Sequence, residues 1–190
     1  MGMTNNYNNR VMLDAIHQAI KDKFIPENQL DMVANNTNGR HGMMSCHICA
    51  SKGEEILLMA FDQEGDNCKL FPYFQERPGL VSMCDYILFV EDDKNLFVFL
   101  IELKDSSHRS KKQVMISQSF AKFLVNRIKA ISDKQSFFKP VEYRKIGIKS
   151  GCSKMTTKGY DTASYDKDGF TFLLDYHNFY IRRLKELPSK

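Results

Sequence analysis

Two strongly apolar runs separated by a short charged segment constrain this chain more than any other feature. The runs cover residues 84–90 and 96–103, and residues 91–95 between them are Glu, Asp, Asp, Lys and Asn. Aliphatic and aromatic side chains dominate both runs, and the aromatic and β-branched ones among them favour strands over helices. Strands that are apolar on both faces lie inside a sheet. The sequence therefore predicts a β-hairpin buried within a larger sheet.

The second run ends in charged residues that such a strand would bury. Side chains alternate across a strand, so Glu102 and Lys104 share one face. If the hairpin turns about residues 93–94, Asp85 lies opposite Glu102, with Cβ atoms about 4.5–5.5 Å apart. Two carboxylates at this distance repel unless a cation lies between them, and Mg²⁺ prefers such oxygen ligands. A structural ion-pair cluster of Asp85, Glu102 and Lys104 is the alternative interpretation, because buried salt bridges do occur.

The rest of the chain predicts an α/β domain with a mixed sheet flanked by helices. Apolar spacing of three and four indicates helices at 9–24 and 110–132, while short apolar runs indicate strands at 56–61, 142–148 and 170–174. We interpret 27–50 as loop with a short helix near 29–34, 151–167 as a polar loop, and 176–187 as a closing helix.

Length and composition suit one domain spanning residues 1–190. The polar first ten residues lack the apolar core of a signal peptide, and no run is long enough for a membrane helix, so we expect a cytoplasmic protein with reduced cysteines. The net charge of +4 is uneven, with −6 over residues 1–100 and +10 over residues 101–190. The basic half is suited to a phosphate-bearing partner, although solvated lysines are common on any surface.

The residues around the two acids resemble the signature of a known superfamily. Asp85 in Cys84-Asp85-Tyr86-Ile87, followed by Ile101-Glu102-Leu103-Lys104, resembles the PD-(D/E)XK motif of restriction endonucleases and Holliday-junction resolvases. The family core is a helix, a three-strand meander, a helix and a fourth strand, and residues 9–150 supply this order. The resemblance implies a restriction-endonuclease-like fold and metal-dependent hydrolysis of DNA.

Carried over residue by residue, the resemblance also implies roles for this site. Asp85 and Glu102 would bind Mg²⁺ or Mn²⁺, the Leu103 carbonyl would complete the protein ligands, and Lys104 would orient or activate the water. Cys84 departs from the motif, since a proline often stands at that place.

Helper residues follow from the same resemblance. Glu55 is available as an additional metal ligand, with a surface location as the alternative. Gln118 stands where relatives carry a catalytic glutamine, Gln113 is its rival, and a structural or solvated role remains open for both.

Four residues are candidate DNA contacts, with a solvated surface as the alternative: Lys111, Lys112, Lys122 and His108. We expect DNA as the partner, and a homodimer or a partner protein to select the site. A second interpretation is an inactive protein of the same fold that serves as a nucleic-acid-binding or protein-binding accessory subunit. The spacing of Cys46 and Cys49 also allows half a zinc site, which Cys68 or Cys84 could complete, with buried or free thiols as the alternative.

Overall fold

The computed structural model describes residues 11–34, 44–52, 54–61, 82–103, 110–132, 138–149, 164–165, 168–174 and 178–187. Within these ranges, no helix combines the length and the apolarity that crossing a lipid bilayer requires. The chain is a mixed α/β protein with two mixed sheets flanked by helices.

The helices are α1 (Val11–Ala19), α2 (Ser110–Ile131) and α3 (Ile181–Leu184), with a 3₁₀ turn at Asp22–Phe24. The strands are β1 (Asp31–Ala34), β2 (Met44–Cys49), β3 (Glu55–Ala60), β4 (Tyr86–Glu91), β5 (Leu96–Leu103), β6 (Val141–Lys149), β7 (Ser164–Tyr165), β8 (Phe170–Leu174) and β9 (Asn178–Tyr180). The larger sheet has the order β3-β4-β5-β6-β8-β7, and the smaller one has the order β1-β2-β9.

The predicted hairpin is confirmed, and its strands lie inside the larger sheet. Every residue of β4 and β5 is buried. Tyr86 pairs with Ile101 and Glu91 with Leu96, so the turn centres on residues 93–94 as expected. β3 adds to β4 in antiparallel fashion, whereas β6 runs parallel to β5 after the crossover through α2.

Two apolar cores form because β5 is hydrophobic on both faces. Leu96, Val98 and Leu100 pack with α1 and α2 in one core. The alternate residues Phe97, Phe99 and Ile101 pack with the smaller sheet and α3 in the other. The architecture is therefore three layers, with the larger sheet in the middle.

Two expected elements differ from the structure. Residues 27–50, expected to be loop with a short helix near 29–34, contain the two strands β1 and β2, whose pairing buries Met32 against Cys46 and Ile48. The expected closing helix at 176–187 is shortened to α3, because residues 178–180 pair with β2 in parallel as β9. β7 occupies the end of the segment expected to be loop, while residues 151–163 lie outside the described ranges.

Charged side chains stabilise the turn end of the hairpin. Asp92 accepts hydrogen bonds from the backbone N–H groups of Lys94 and Asn95, at 3.0 and 2.9 Å. Lys185, just after α3, donates to Asp92 at 2.9 Å and to Glu54 at 2.8 Å. Burial acts to raise the pKa of Asp92, but these hydrogen bonds outweigh it and hold the pKa below 3.8.

The acid dependence of stability tests this turn. A carboxyl with a lowered pKa contributes stability above its unfolded value of 3.8 and loses it as the pH falls through the folded value. We expect the unfolding free energy of the native chain to drop about 1 kcal/mol more than that of Asp92→Asn between about pH 5 and pH 2, measured by urea unfolding. Asp93→Asn, at the next and exposed position of the turn, is the control and should follow the native chain. Parallel curves for Asp92→Asn and the native chain would contradict the assignment.

Candidate metal centre

Two carboxylates meet at the edge of the larger sheet that is formed by its strand ends, where the interior strands β4 and β5 begin and end, respectively. Asp85 directly precedes β4, and Glu102 is the penultimate residue of β5. The pairing of Tyr86 with Ile101 puts Asp85 beside Glu102. The backbone N–H of Leu103 donates to Asp85 Oδ2 at 2.6 Å, which fixes the Asp85 carboxylate against the end of β5.

Both acids are withdrawn from solvent. Glu102 is fully buried and Asp85 is 6% exposed. Each lies on the side of the sheet that α2 covers, since their neighbours two residues away, Ile87 and Leu100, belong to that core. Like charges repel more strongly in a low-dielectric interior than in water. The arrangement therefore favours a cation beside the pair.

A glycine lies beside Glu102 on β6. Gly147 pairs with Glu102 in the parallel β5–β6 ladder, at a buried position between Ile146 and Ile148. Paired residues of a parallel ladder present their side chains to the same face, so Gly147 contributes no side chain of its own beside the carboxylate. A glycine inside a strand often marks a close approach by a ligand.

Helix α2 holds the backbone that leads into Asp85. Ser117 is fully buried, and its Oγ accepts a hydrogen bond from the Cys84 N–H at 2.8 Å. Gln113 Nε2 donates to the Met83 carbonyl at 3.2 Å. Gln118, the glutamine that the resemblance favoured, is half-buried on α2. Its rival Gln113 is the one that contacts the chain before β4.

Ser117 was not predicted as part of the site. A serine on an amphipathic helix is ordinarily assigned to the polar, solvated face. The signal that Ser117 is buried is its position within the apolar stripe of Val114, Ala121 and Val125.

Cys84 is a buried thiol next to the acids. Burial raises its pKa, the hydrogen bond with Ser117 opposes the rise, and the charges of Glu102 and Asp85 add to it. The Cys84 thiol therefore stays protonated at neutral pH.

Glu55, expected as an additional metal ligand, lies far from Asp85 and Glu102 because of the strand register. It pairs with Glu91 at the turn end of the sheet, whereas the position beside Asp85 belongs to Phe61, whose N–H donates to the Asp85 carbonyl at 3.0 Å. Six residues of extended strand separate the two positions by about 20 Å. The structure therefore does not bring Glu55 to the pair.

The expected basic contacts have different surroundings. Lys111, half-buried, forms an ion pair with Asp168, while Lys112 is exposed. Lys122 is exposed, with its ammonium 5.4 Å from the centre of the Tyr143 ring. The remaining candidate contact, His108, lies outside the described residues, as does Lys104, the lysine expected to orient or activate the water.

The zinc alternative conflicts with strand geometry. Cys46 and Cys49 are three residues apart on β2, so their side chains point to opposite faces. Cys46 is buried in the core opposite the one that contains Cys84, and burial raises its pKa to about 12. Within the described ranges, no three or more His, Cys, Asp or Glu side chains group to hold a metal ion. The centre described above has two such side chains, Asp85 and Glu102, together with the Leu103 carbonyl.

Comparisons with protein-family models, with curated proteins and with solved structures find no match to this chain.

Metal binding at this edge has a direct readout in thermal stability. A ligand at 100 times its dissociation constant stabilises the folded state by about 2.7 kcal/mol, which is a rise of about 5 to 10 °C in Tm for a chain of this size. We expect Mg²⁺ or Mn²⁺ to raise the Tm of the native chain by this amount and to leave Glu102→Gln nearly unchanged.

The matched control is Glu55→Gln, which removes the same charge about 20 Å away on the same sheet. It should respond to metal as the native chain does. Equal metal-induced shifts in Glu102→Gln and Glu55→Gln would show that any bound ion lies elsewhere.

Proposed function

We propose that this chain is a metal-dependent deoxyribonuclease with a restriction-endonuclease-like fold, acting through Asp85, Glu102, Leu103 and Lys104. The observation that carries the proposal is the hydrogen bond from Leu103 N–H to Asp85 Oδ2, at 2.6 Å, beside the fully buried Glu102. It gathers three of the four residues of the motif at one edge of the sheet.

The order and direction of the elements support the proposed fold. The core of the resembled superfamily is a helix, a three-strand meander, a helix and a fourth strand. In this chain α1 is followed by the antiparallel strands β3, β4 and β5, then by α2 and the parallel strand β6. β1 and β2 enter between α1 and β3 but join the other sheet, so they leave this order intact.

A second buried acid shows what a structural carboxylate looks like in this protein. Glu91, at the opposite end of β4, lies 3.0 Å from the Lys139 ammonium and accepts a hydrogen bond from the Leu13 N–H at 2.8 Å. That backbone donor belongs to the first turn of α1, where a carboxylate is stabilising. Asp85 has a second acid, Glu102, beside it, because Tyr86 pairs with Ile101 at the neighbouring position. Two adjacent carboxylates are a ligand set that divalent cations prefer.

The residues would divide the work of phosphodiester hydrolysis. A divalent ion, when bound, supplies a water of lowered pKa and neutralises the charge that develops on the phosphate. Asp85 and Glu102 would hold that ion through carboxylate oxygens, and the Leu103 carbonyl would add a third oxygen. Lys104, two residues beyond Glu102 in the chain, would hold the attacking water or a phosphate oxygen by donating hydrogen bonds.

Cleavage of supercoiled, linear and single-stranded DNA with Mg²⁺ or Mn²⁺ tests the proposal. We expect Asp85→Asn, Glu102→Gln and Lys104→Ala each to lower the cleavage rate by roughly 100-fold or more, because residues that merely support metal ligands already cost 10- to 100-fold. Gel analysis of the products over time gives the rates.

The control for this assay is Glu55→Gln, whose rate should match that of the native chain. If no substrate is cut while DNA binding is unchanged in the variants, the nuclease is excluded and the DNA-binding accessory subunit is favoured.

Helix α2 is the surface from which this site would meet DNA. Its first turns reach the chain before Asp85 through Gln113 and Ser117, so the exposed Lys112 lies at the same edge of the sheet. Lys122 lies about three turns further along the helix. Lys111 is already paired with Asp168, so its contribution to phosphate binding would be smaller.

The salt dependence of DNA binding measures these contacts. Each lysine that neutralises one phosphate contributes about 0.9 to the slope of log K against log salt. We expect Lys112→Ala and Lys122→Ala each to reduce this slope by about that amount, and Lys111→Ala to reduce it less, in fluorescence anisotropy titrations with duplex DNA.

Lys94→Ala is the matched charge control, because Lys94 is exposed in the turn at the far end of the hairpin. A slope reduced equally by Lys94→Ala and Lys112→Ala would indicate that DNA binding is not localised to α2.

A further inference from the structure

We infer that Ser117 and Gln113 are positioning residues that hold Asp85 in place to bind metal. This inference rests on the proposed function, since it concerns the same metal centre. It assigns to one turn of α2 a role that the motif does not include.

Two hydrogen bonds join this helical turn to the two residues before Asp85. The Cys84 N–H donates to Ser117 Oγ at 2.8 Å, and Gln113 Nε2 donates to the Met83 carbonyl at 3.2 Å. Ser117 Oγ in turn donates to the Gln113 carbonyl at 2.9 Å, so the two arms share one turn of helix. We call this set of four residues, Met83, Cys84, Gln113 and Ser117, the α2 clamp.

The clamp is needed because β4 has not yet begun at these residues. Ladder hydrogen bonds with β3 and β5 fix the backbone from Tyr86 onward. Residues 83 and 84 precede the strand, and both are buried, so their backbone groups must find partners inside the protein. Ser117 and Gln113 supply partners from the helix.

Asp85 is thereby held from three directions. Its carbonyl accepts the Phe61 N–H from the end of β3, and its carboxylate accepts the Leu103 N–H from β5. The residue before it is anchored by Ser117. A metal ligand set tolerates little displacement, and groups that orient ligands typically change metal affinity or activity by about 10- to 100-fold.

The burial of Ser117 is consistent with this role. Its neighbours on the helix stripe, Val114, Ala121 and Val125, are buried and apolar. A fully buried hydroxyl in such a stripe is costly without hydrogen bonds. The Ser117 hydroxyl offsets this cost by donating one hydrogen bond to the Gln113 carbonyl of its own helix and accepting one from the Cys84 N–H.

Calorimetric titration of the full chain with Mn²⁺, without DNA, tests the clamp. We expect Ser117→Ala and Gln113→Met to raise the Mn²⁺ dissociation constant at least about tenfold. The concentration of Mg²⁺ that gives half-maximal cleavage should rise in parallel. Gln113 is half-buried, so its variant keeps the test valid if Ser117→Ala folds poorly.

Ser119→Ala is the matched control on the same helix. Its Oγ donates to the Met115 carbonyl at 3.3 Å, the same bond within the helix that Ser117 makes, but the side chain is exposed and faces away from β4. This variant should bind Mn²⁺ as the native chain does.

The outcomes separate the two proposals. Unchanged Mn²⁺ affinity in folded Ser117→Ala and Gln113→Met would overturn the clamp and leave the nuclease standing, even if both variants melt at lower temperature. Absence of Mn²⁺ binding by the native chain would overturn both.

Discussion

Burial of the β4–β5 hairpin on both faces is the constraint on which the rest of the structure depends. Because Phe97 and Phe99 alternate with Leu96 and Val98, two separate apolar covers are required, one on each side of the sheet. Helices α1 and α2 provide the first cover, and the smaller sheet with α3 provides the second. The three-layer architecture follows from this single requirement.

The two ends of that hairpin accommodate charge differently. At the turn, Glu91 and Asp92 have cationic partners in Lys139 and Lys185. At the open end, Asp85 and Glu102 lie side by side, with a glycine alongside on β6. The turn end is thus organised for stability. The open end instead brings two like charges together, an arrangement that a neighbouring cation stabilises.

Elements with a long apolar pattern could be predicted from the sequence, whereas short strands and contacts made by single residues could not. The hairpin, its register and α2 were predicted because each buries many residues at a regular period. β1, β2 and β9 were missed because they are short, and because β9 pairs with β2 across more than a hundred residues of chain. Glu55 was misplaced because its separation from Asp85 depends on strand register, which becomes known when β3 pairs with β4. Ser117 was missed because its partner, the Cys84 N–H, belongs to the backbone.

The smaller sheet joins residues 31–49 to residues 178–180, which sets an order of events during synthesis. β4 and β5 are neighbours in sequence and can pair once residue 103 has left the ribosome. β2 acquires its parallel partner when residues 178–180 emerge, more than a hundred residues later. Long-range pairing of this kind is slow to form. The cover over the Phe97 side of the larger sheet is therefore completed late, when residues 178–184 emerge and add Phe179, Ile181 and Leu184 to that core.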